Sequence, residues 1–287
     1  MADDPVFWLG PLSLLRALPS PALGSGPHAT PVRVGGTHRT LNGTPTVDVL
    51  GRKRTWVLSW PYLDAETFAF LDAIDAGTLA DTPLWLIDPA RPNRLPEQTA
   101  SGGSARRSTV SFTPVGSTDL SYLAGTVPTG VGLPLGGGLR FMRPQNGGQI
   151  ITGDRPPVLA GETVTFSAWC RGLAPVAVFV TFTSATGTAL GTVESPSISL
   201  GGRWTQVAVT ATAPDTSGPA VTCAVGVNTT SPLPPSYVFT TGWQLESATE
   251  PGPFAIGGGA AVVVIESLKV SYPLPGSYAA ELTLLEV

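Results

Sequence analysis

The side chains able to do chemistry in this chain are few, and most stand apart. His28 and His38 are ten residues apart, with no Cys or carboxylate at ligand spacing; they read as loop or interface histidines. Cys170 and Cys223 are too few for a disulfide framework. In TVTFSAWC the inward set by alternation is Val164, Phe166, Ala168 and Cys170; in VTCAVGV it is Val221, Cys223, Val225 and Val227. Both thiols therefore face a core, and a bond between them requires neighbouring strands. No GxSxG elbow precedes a helix, and GVGLPLGGG lacks the lysine and strand–helix context of a phosphate loop. The later acids, Asp154, Glu162, Glu194, Asp215, Glu246 and Glu250, are sparse, and several sit at turns. Glu162 follows Gly161 at a strand start, which suits a solvated or capping role. Glycoside hydrolysis needs two acids about 5–10 Å apart, a spacing the sequence neither supplies nor forbids. The expectation is a protein that is not an enzyme and needs no metal or cofactor.

Aromatic residues are the better candidates. Alternation puts Trp169 opposite to Cys170, and Phe179 opposite to Val178 and Val180. It places Tyr237, Phe239 and Trp243 on one face of their strand, with Gln244 and Glu246 beside them. Flat rings stack on the C–H face of a pyranose while Gln, Glu and Arg bond its hydroxyls. Each ring can equally be sandwich core or subunit contact, and Gln244 and Glu246 can be internally satisfied groups. Trp204, opening a strand after a Gly-Gly-Arg turn, reads as core.

The elements around these residues fall into two patterns. Before residue 104 there is one helix, in LDAETFAFLDAIDAGTL: Asp64 is the N-cap, Glu66 suits the positive end of the dipole, and Gly77 is the stop. Phe68, Leu71 and Ile74 recur at helical spacing and would cover a sheet. Thr46–Leu50 and Thr55–Trp60 read as a hairpin joined by GRKR, with a further strand at Pro83–Ile87. From Leu139 the pattern is purely β, in short alternating runs with turns every eight to twelve residues, as a sandwich requires. GGGA at Gly257–Ala260 is a linker. The closing VVVIESL and ELTLLEV are too short for a domain, so they return to the first sheet. The expected fold is mainly β: an α+β domain, antiparallel sheet plus one helix, from 1–103 and 257–287, with an inserted β-sandwich or jelly roll at 104–256.

Two stretches carry a resemblance. VGGTHRTLNGTPTVDVLGRKRTWVLSWPYL, the helix, and GTLADTPLWLIDPARPNRL, with Trp56, Trp60, PLWLIDP and Asn93, resemble distal tail or minor tail proteins of long-tailed bacteriophages; ELTLLEV resembles the strand that closes that domain. PPVLAGETVTFSAWCRG, WTQVAVTATAP and GWQLESATEPGPF resemble carbohydrate-binding modules of the family 4/9 jelly-roll kind. The second resemblance implies an aromatic platform, for which Trp169, Phe179, Tyr237, Phe239, Trp243, Gln244 and Glu246 are candidates. Some relatives hold a structural calcium, but no DxDxD-like cluster supports one here. The first implies a virion protein of the tail tip, made in the host cytoplasm. It would form a hexameric or trimeric ring whose partners are the tail tube and the tail hub or tip proteins, with a jelly roll to bind host cell-wall glycan. A free carbohydrate-binding or adhesin-like protein, or the equivalent part of a phage-tail-like particle, are the alternatives.

Composition agrees with assembly. Charged residues make up 13% of 287, about half the usual share, at a net charge of −4. Buried partner surfaces or a Thr/Ser/Gly exterior would explain so few charges. The only basic clusters, Arg52-Lys53-Arg54 and Arg106-Arg107, are too small for a nucleic-acid groove. Asp3 and Asp4 precede the apolar VFWLGPLSLLRAL, where a secretory signal would carry positive charge, and no run of about 18 apolar residues occurs. Neither export nor membrane insertion is expected.

Overall fold

The computed structural model describes residues 6–22, 28–39, 42–43, 45–47, 51–79, 83–116, 118–129, 132–142, 148–216, 218–229, 237–274 and 277–287. The fold is mainly β, with one helix longer than a single turn among the described residues. The chain divides into two compact units, 1–86 with 261–287, and 87–260.

In the first unit a seven-stranded sheet runs in the order Arg16–Ala17, Trp8–Pro11, Leu84–Ile87, Ala260–Leu274, Ser277–Glu286, Gly51–Leu63, His28–Val34. The closing strand lies between the two longest, with Leu282 opposite Leu58 and Leu284 opposite Trp56. Its alternation puts Ala280, Leu282 and Leu284 into one core with Trp56, Leu58 and Trp60. Helix Ala65–Asp75 is capped by Asp64, whose Oδ1 accepts from the Thr67 N–H at 2.7 Å, and Gly77 ends it at φ 67°. The helix buries Phe70, Leu71 and Ile74. Phe68, expected on that face, lies to its side and stacks on Tyr278 at 4.1 Å.

The expected hairpin through GRKR does not form. Gly51–Leu63 is one continuous strand, and residues 51–57 pair with 28–34, Gly51 opposite Val34. Pro45–Val47 pairs instead with Thr37–Arg39, and residues 48–50 lie outside the described residues. Arg54 is held in the strand by a two-pronged bond to Glu286 (3.0 and 3.1 Å) and lies over the Trp56 ring at 4.6 Å, so this charged run belongs to the sheet.

The second unit is a β-sandwich. One sheet has five strands in the order Thr205–Thr212, Thr163–Gly172, Tyr237–Glu246, Gly137–Met142, Asp119–Ala124. The other runs Ala189–Glu194, Pro175–Ser184, Ala220–Thr229, Gly148–Thr152, Phe112–Val115, with Ile198–Ser199 also on Pro175–Ser184. The core between them holds Phe141, Phe166, Phe182, Trp243 and the inward valines of both sheets. Cys170 and Cys223 are both free and buried there, and desolvation pushes each thiol up to about 12.

The unit begins at residue 87, not at 104. The segment after Ile87 is bonded to the sandwich: the Arg94 N–H donates to the Leu245 carbonyl at 2.8 Å, and the Asn93 Nδ2 donates to the carbonyls of Trp243 and Ala255, each at 2.9 Å. Asn93, read from the sequence as a mark of the first domain, is thus a fully buried pin of the second.

Candidate functional site

The outward face of the five-stranded sheet is where exposed chemistry collects. On Thr163–Gly172 the core takes Val164, Phe166, Ala168 and Cys170, so Trp169 and Arg171 face outward. Register then builds rows across the sheet. Arg171 stands opposite Phe239, Phe239 opposite Arg140, and Arg140 opposite Ser121. Trp169 stands between Gln206 and Thr241. Tyr237, 43% exposed, lies under the Arg140 guanidinium at 4.9 Å from its ring centre. Arg140 Nε also donates to Ser121 Oγ at 3.2 Å, and Arg171 Nε to the Gly202 carbonyl at 3.0 Å. Both guanidinium groups are thereby oriented with N–H groups to spare. Trp169, Phe239 and Tyr237 are each only partly covered.

Three of the seven candidates thus lie open on this face, and four are covered or lie elsewhere. Trp243 is fully buried, edge-on to Phe112 at 5.0 Å and tilted against Phe166 at 5.4 Å, with its indole N–H donated to Thr240 Oγ1 at 2.9 Å. The cause is Gly242: it sits at φ 60°, and the register to Thr163–Gly172 slips there, Trp169 pairing with Thr241 but Ser167 with Gln244. The extra residue is a bulge that reverses the alternation, so Trp243 shares the inner face with Val238 rather than the outer face with Tyr237 and Phe239.

Gln244 and Glu246 do face outward but are buried and satisfied. Gln244 Nε2 donates to Glu246 Oε1 at 2.8 Å and its Oε1 accepts from the Ala255 N–H at 2.7 Å; Glu246 Oε1 accepts from the Gly252 N–H at 2.7 Å. They clamp the 248–256 segment over that end of the sheet. Phe179 faces outward on the six-stranded sheet, yet it is only 2% exposed because its ring lies over Gly226, where a Cβ would meet Phe179 Cζ at 2.2 Å. Trp204, expected in the core, is instead partly exposed, one residue before the Thr205–Thr212 strand.

Arg140 and Arg171 were the residues missed. Counting two on from Trp169 reaches Arg171, but Arg140 is found only once the Gly137–Met142 strand is paired with Tyr237–Glu246.

The buried acids of the sandwich are already engaged. Glu162 is chelated by Arg94, Nη1 to Oε2 at 2.7 Å, and accepts the Leu159 N–H at 2.9 Å. Burial pushes its carboxyl up, but the Arg94 hydrogen bonds and charge outweigh this and hold it below its usual range. Asp154 shows the opposite balance: burial dominates over a hydrogen bond from Thr99 and the charge of Arg155, and its carboxyl is raised. Among the described residues no three His, Cys, Asp or Glu side chains are grouped to hold a metal ion. No helix among them is long and apolar enough to cross a membrane.

No protein-family model matches the sequence, and no curated protein does. Solved structures match in part. The enzymatically active domain of tailspike protein 4 from bacteriophage CBA120 matches at 12% identity over 54% of this chain and 21% of that chain, with a TM-score of 0.43. The CBM22-1 xylan-binding domain from Paenibacillus barcinonensis Xyn10C matches at 11% identity over 53% of this chain and 89% of its own, TM-score 0.37. The C-terminal family 22 carbohydrate binding module of Clostridium thermocellum Xyn10B matches at 12% over 52% and 92%, TM-score 0.35. The match thus spans about a fifth of the tailspike chain.

Proposed function

We propose that this chain is a structural component of a phage tail tip whose sandwich binds glycans of the host cell surface. The observation that carries the binding half is the outward row Arg171–Phe239–Arg140, with Trp169 and Tyr237 beside it on the same sheet. Partly exposed rings offer flat apolar surface to the C–H face of a sugar, and oriented guanidinium donors match its hydroxyls or carboxylates. Exposed aromatics on a regular sheet have little to gain from water, so a ligand surface explains them better than packing does. The reading is of a binding protein, since the sandwich acids with the deepest burial, Glu162 and Glu246, are consumed by internal partners.

The assembly half rests on the sequence resemblance of the first unit and on the low charge of the chain. Ring formation requires heterologous contacts that close, and several weak sugar sites on one ring would act by avidity. A free carbohydrate-binding or adhesin-like protein would use the same face, and this second reading is separated from the first by mass. Light scattering after gel filtration should give a discrete trimer or hexamer; a monomer that still binds glycan would favour the free binding protein. Retention on host wall glycan should be lost in Trp169→Ala at unchanged melting temperature. Turnover of that glycan by the wild-type chain would overturn the non-enzymatic reading.

A further inference from the structure

A cavity of about 310 Å³ in the sandwich unit lies between the 97–108 segment, the 134–136 turn, Tyr122 and Phe254. Its volume is at the low end of small-molecule sites, which span about 300–1,000 Å³. Its wall is constructed rather than loose. After the short helix Glu97–Ala100, Gln98 Nε2 donates to the Gly103 and Ser108 carbonyls (3.3 and 2.9 Å), and Ser101 Oγ accepts from the Ala105 N–H at 3.0 Å. Ser104 Oγ accepts from the Gly136 N–H at 2.8 Å, tying the two walls together. Gly102 and Gly103 allow this close approach: a Cβ there would come within 2.9 Å of Thr241 Cα and 2.3 Å of the Ser108 carbonyl.

The lining is amphipathic in the way a sugar requires. Tyr122 and Phe254 supply rings, and Ser104 a hydroxyl whose proton has no acceptor among the described residues. The charge of Glu97 is met by Arg91 at 3.5 Å. Arg107, also lining the cavity, has no side-chain partner among the described residues, which leaves one net positive charge at the mouth. Arg107 is also the one non-glycine described residue at positive φ, at 50°. A side chain thus stands in a backbone conformation that glycine adopts without strain. Phe254 lies between the cavity and the outward sheet face: a Cβ at Gly242 would be 3.8 Å from Phe254 and 3.1 Å from Trp169.

We infer that this cavity is a second binding site, taking the terminal residue of a glycan that carries an anionic group, carboxylate or phosphate, with Arg107 as its charge partner. The inference rests on the glycan-binding reading and deepens it: the sheet face would hold the chain and the cavity its end.

The test is saturation-transfer NMR on the full chain with D-glucose, D-glucuronate and D-glucose 6-phosphate. At least one anionic sugar should bind threefold or more tighter than glucose; which one does identifies carboxylate or phosphate as the source. Arg107→Gly should abolish that preference at an unchanged or higher melting temperature, since glycine relaxes the backbone there, while Trp169→Ala should retain it. An equal response to all three sugars, or a preference that survives Arg107→Gly, overturns the inference. If wall-glycan retention is lost in Trp169→Ala but no anionic preference exists, the cavity site falls and the sheet site stands. The reverse pattern removes the sheet site and leaves the cavity.

Discussion

The two halves of the Tyr237–Glu246 strand have different fates. From Tyr237 to Thr241 the outward residues lie in a row with arginines and remain partly open to solvent. From Trp243 to Glu246 both faces are buried, Trp243 in the core and Gln244 and Glu246 beneath the 248–256 segment. Asn93 and Arg94 pin the second half through the main chain of Trp243 and Leu245. Only Gly242 divides them. One residue in the left-handed region, with the bulge it permits, separates an open sheet surface from a covered one. Aromatic content therefore does not tell which rings are open to solvent; the phase of the alternation does.

The contrast can be broken from its buried half with the largest effect. Trp243→Ala should cost about 3–5 kcal/mol in urea unfolding, as for other large-to-small changes of a core aromatic; an unaltered midpoint would place the ring outside the core. Glu162→Gln should cost about 3 kcal/mol at neutral pH, because it leaves Arg94, 6% exposed, without its carboxylate. The folded carboxyl of Glu162 sits below its ordinary 4.5. The stability it contributes is therefore complete above that value and is lost as pH falls through the lower folded pKa. The gap between wild type and Glu162→Gln should accordingly be full at pH 7 and shrink only in acid; a gap that closes on raising the pH would contradict the pairing.

Smaller changes sharpen the boundary itself. Gly242→Ala should cost about 1–2 kcal/mol for its left-handed backbone, and should also weaken glycan binding, since the new methyl would crowd Trp169 at 3.1 Å. A variant with stability lost and binding intact would separate Trp169 from the ligand. Phe239→Ala, on the open half, should change stability by less than about 1 kcal/mol yet lower glycan affinity roughly tenfold, about 1.4 kcal/mol. Titration calorimetry beside thermal melting checks both numbers.

Much of the sandwich was legible because period-2 patterning is local. Val164, Phe166, Ala168 and Cys170 alternate without a break on Thr163–Gly172, and that placed Trp169 outward correctly. The helix was equally legible from Asp64 and Gly77, whose roles depend on their own backbone neighbours. Trp243 was misplaced because alternation was carried through Gly242. An isolated glycine within a strand pattern is itself the signal of a bulge that would have moved it. Arg54 and its neighbours looked like a turn because charge is common in turns; the strand that absorbs them, His28–Val34, precedes them by some twenty residues.

By itself the sequence determined the elements and the sidedness of unbroken strands, since both follow from the steric preferences of a few adjacent residues. It also determined that the closing strand must find a partner, because a lone two-stranded hairpin cannot bury its own apolar face. Tertiary structure decided the rest: that Ser277–Glu286 lies against Gly51–Leu63, that Phe179 is covered by folding over Gly226, and that Phe239 stands between Arg140 and Arg171. Those outcomes depend on which strands become neighbours and in what register, a choice made by burying the whole core at once.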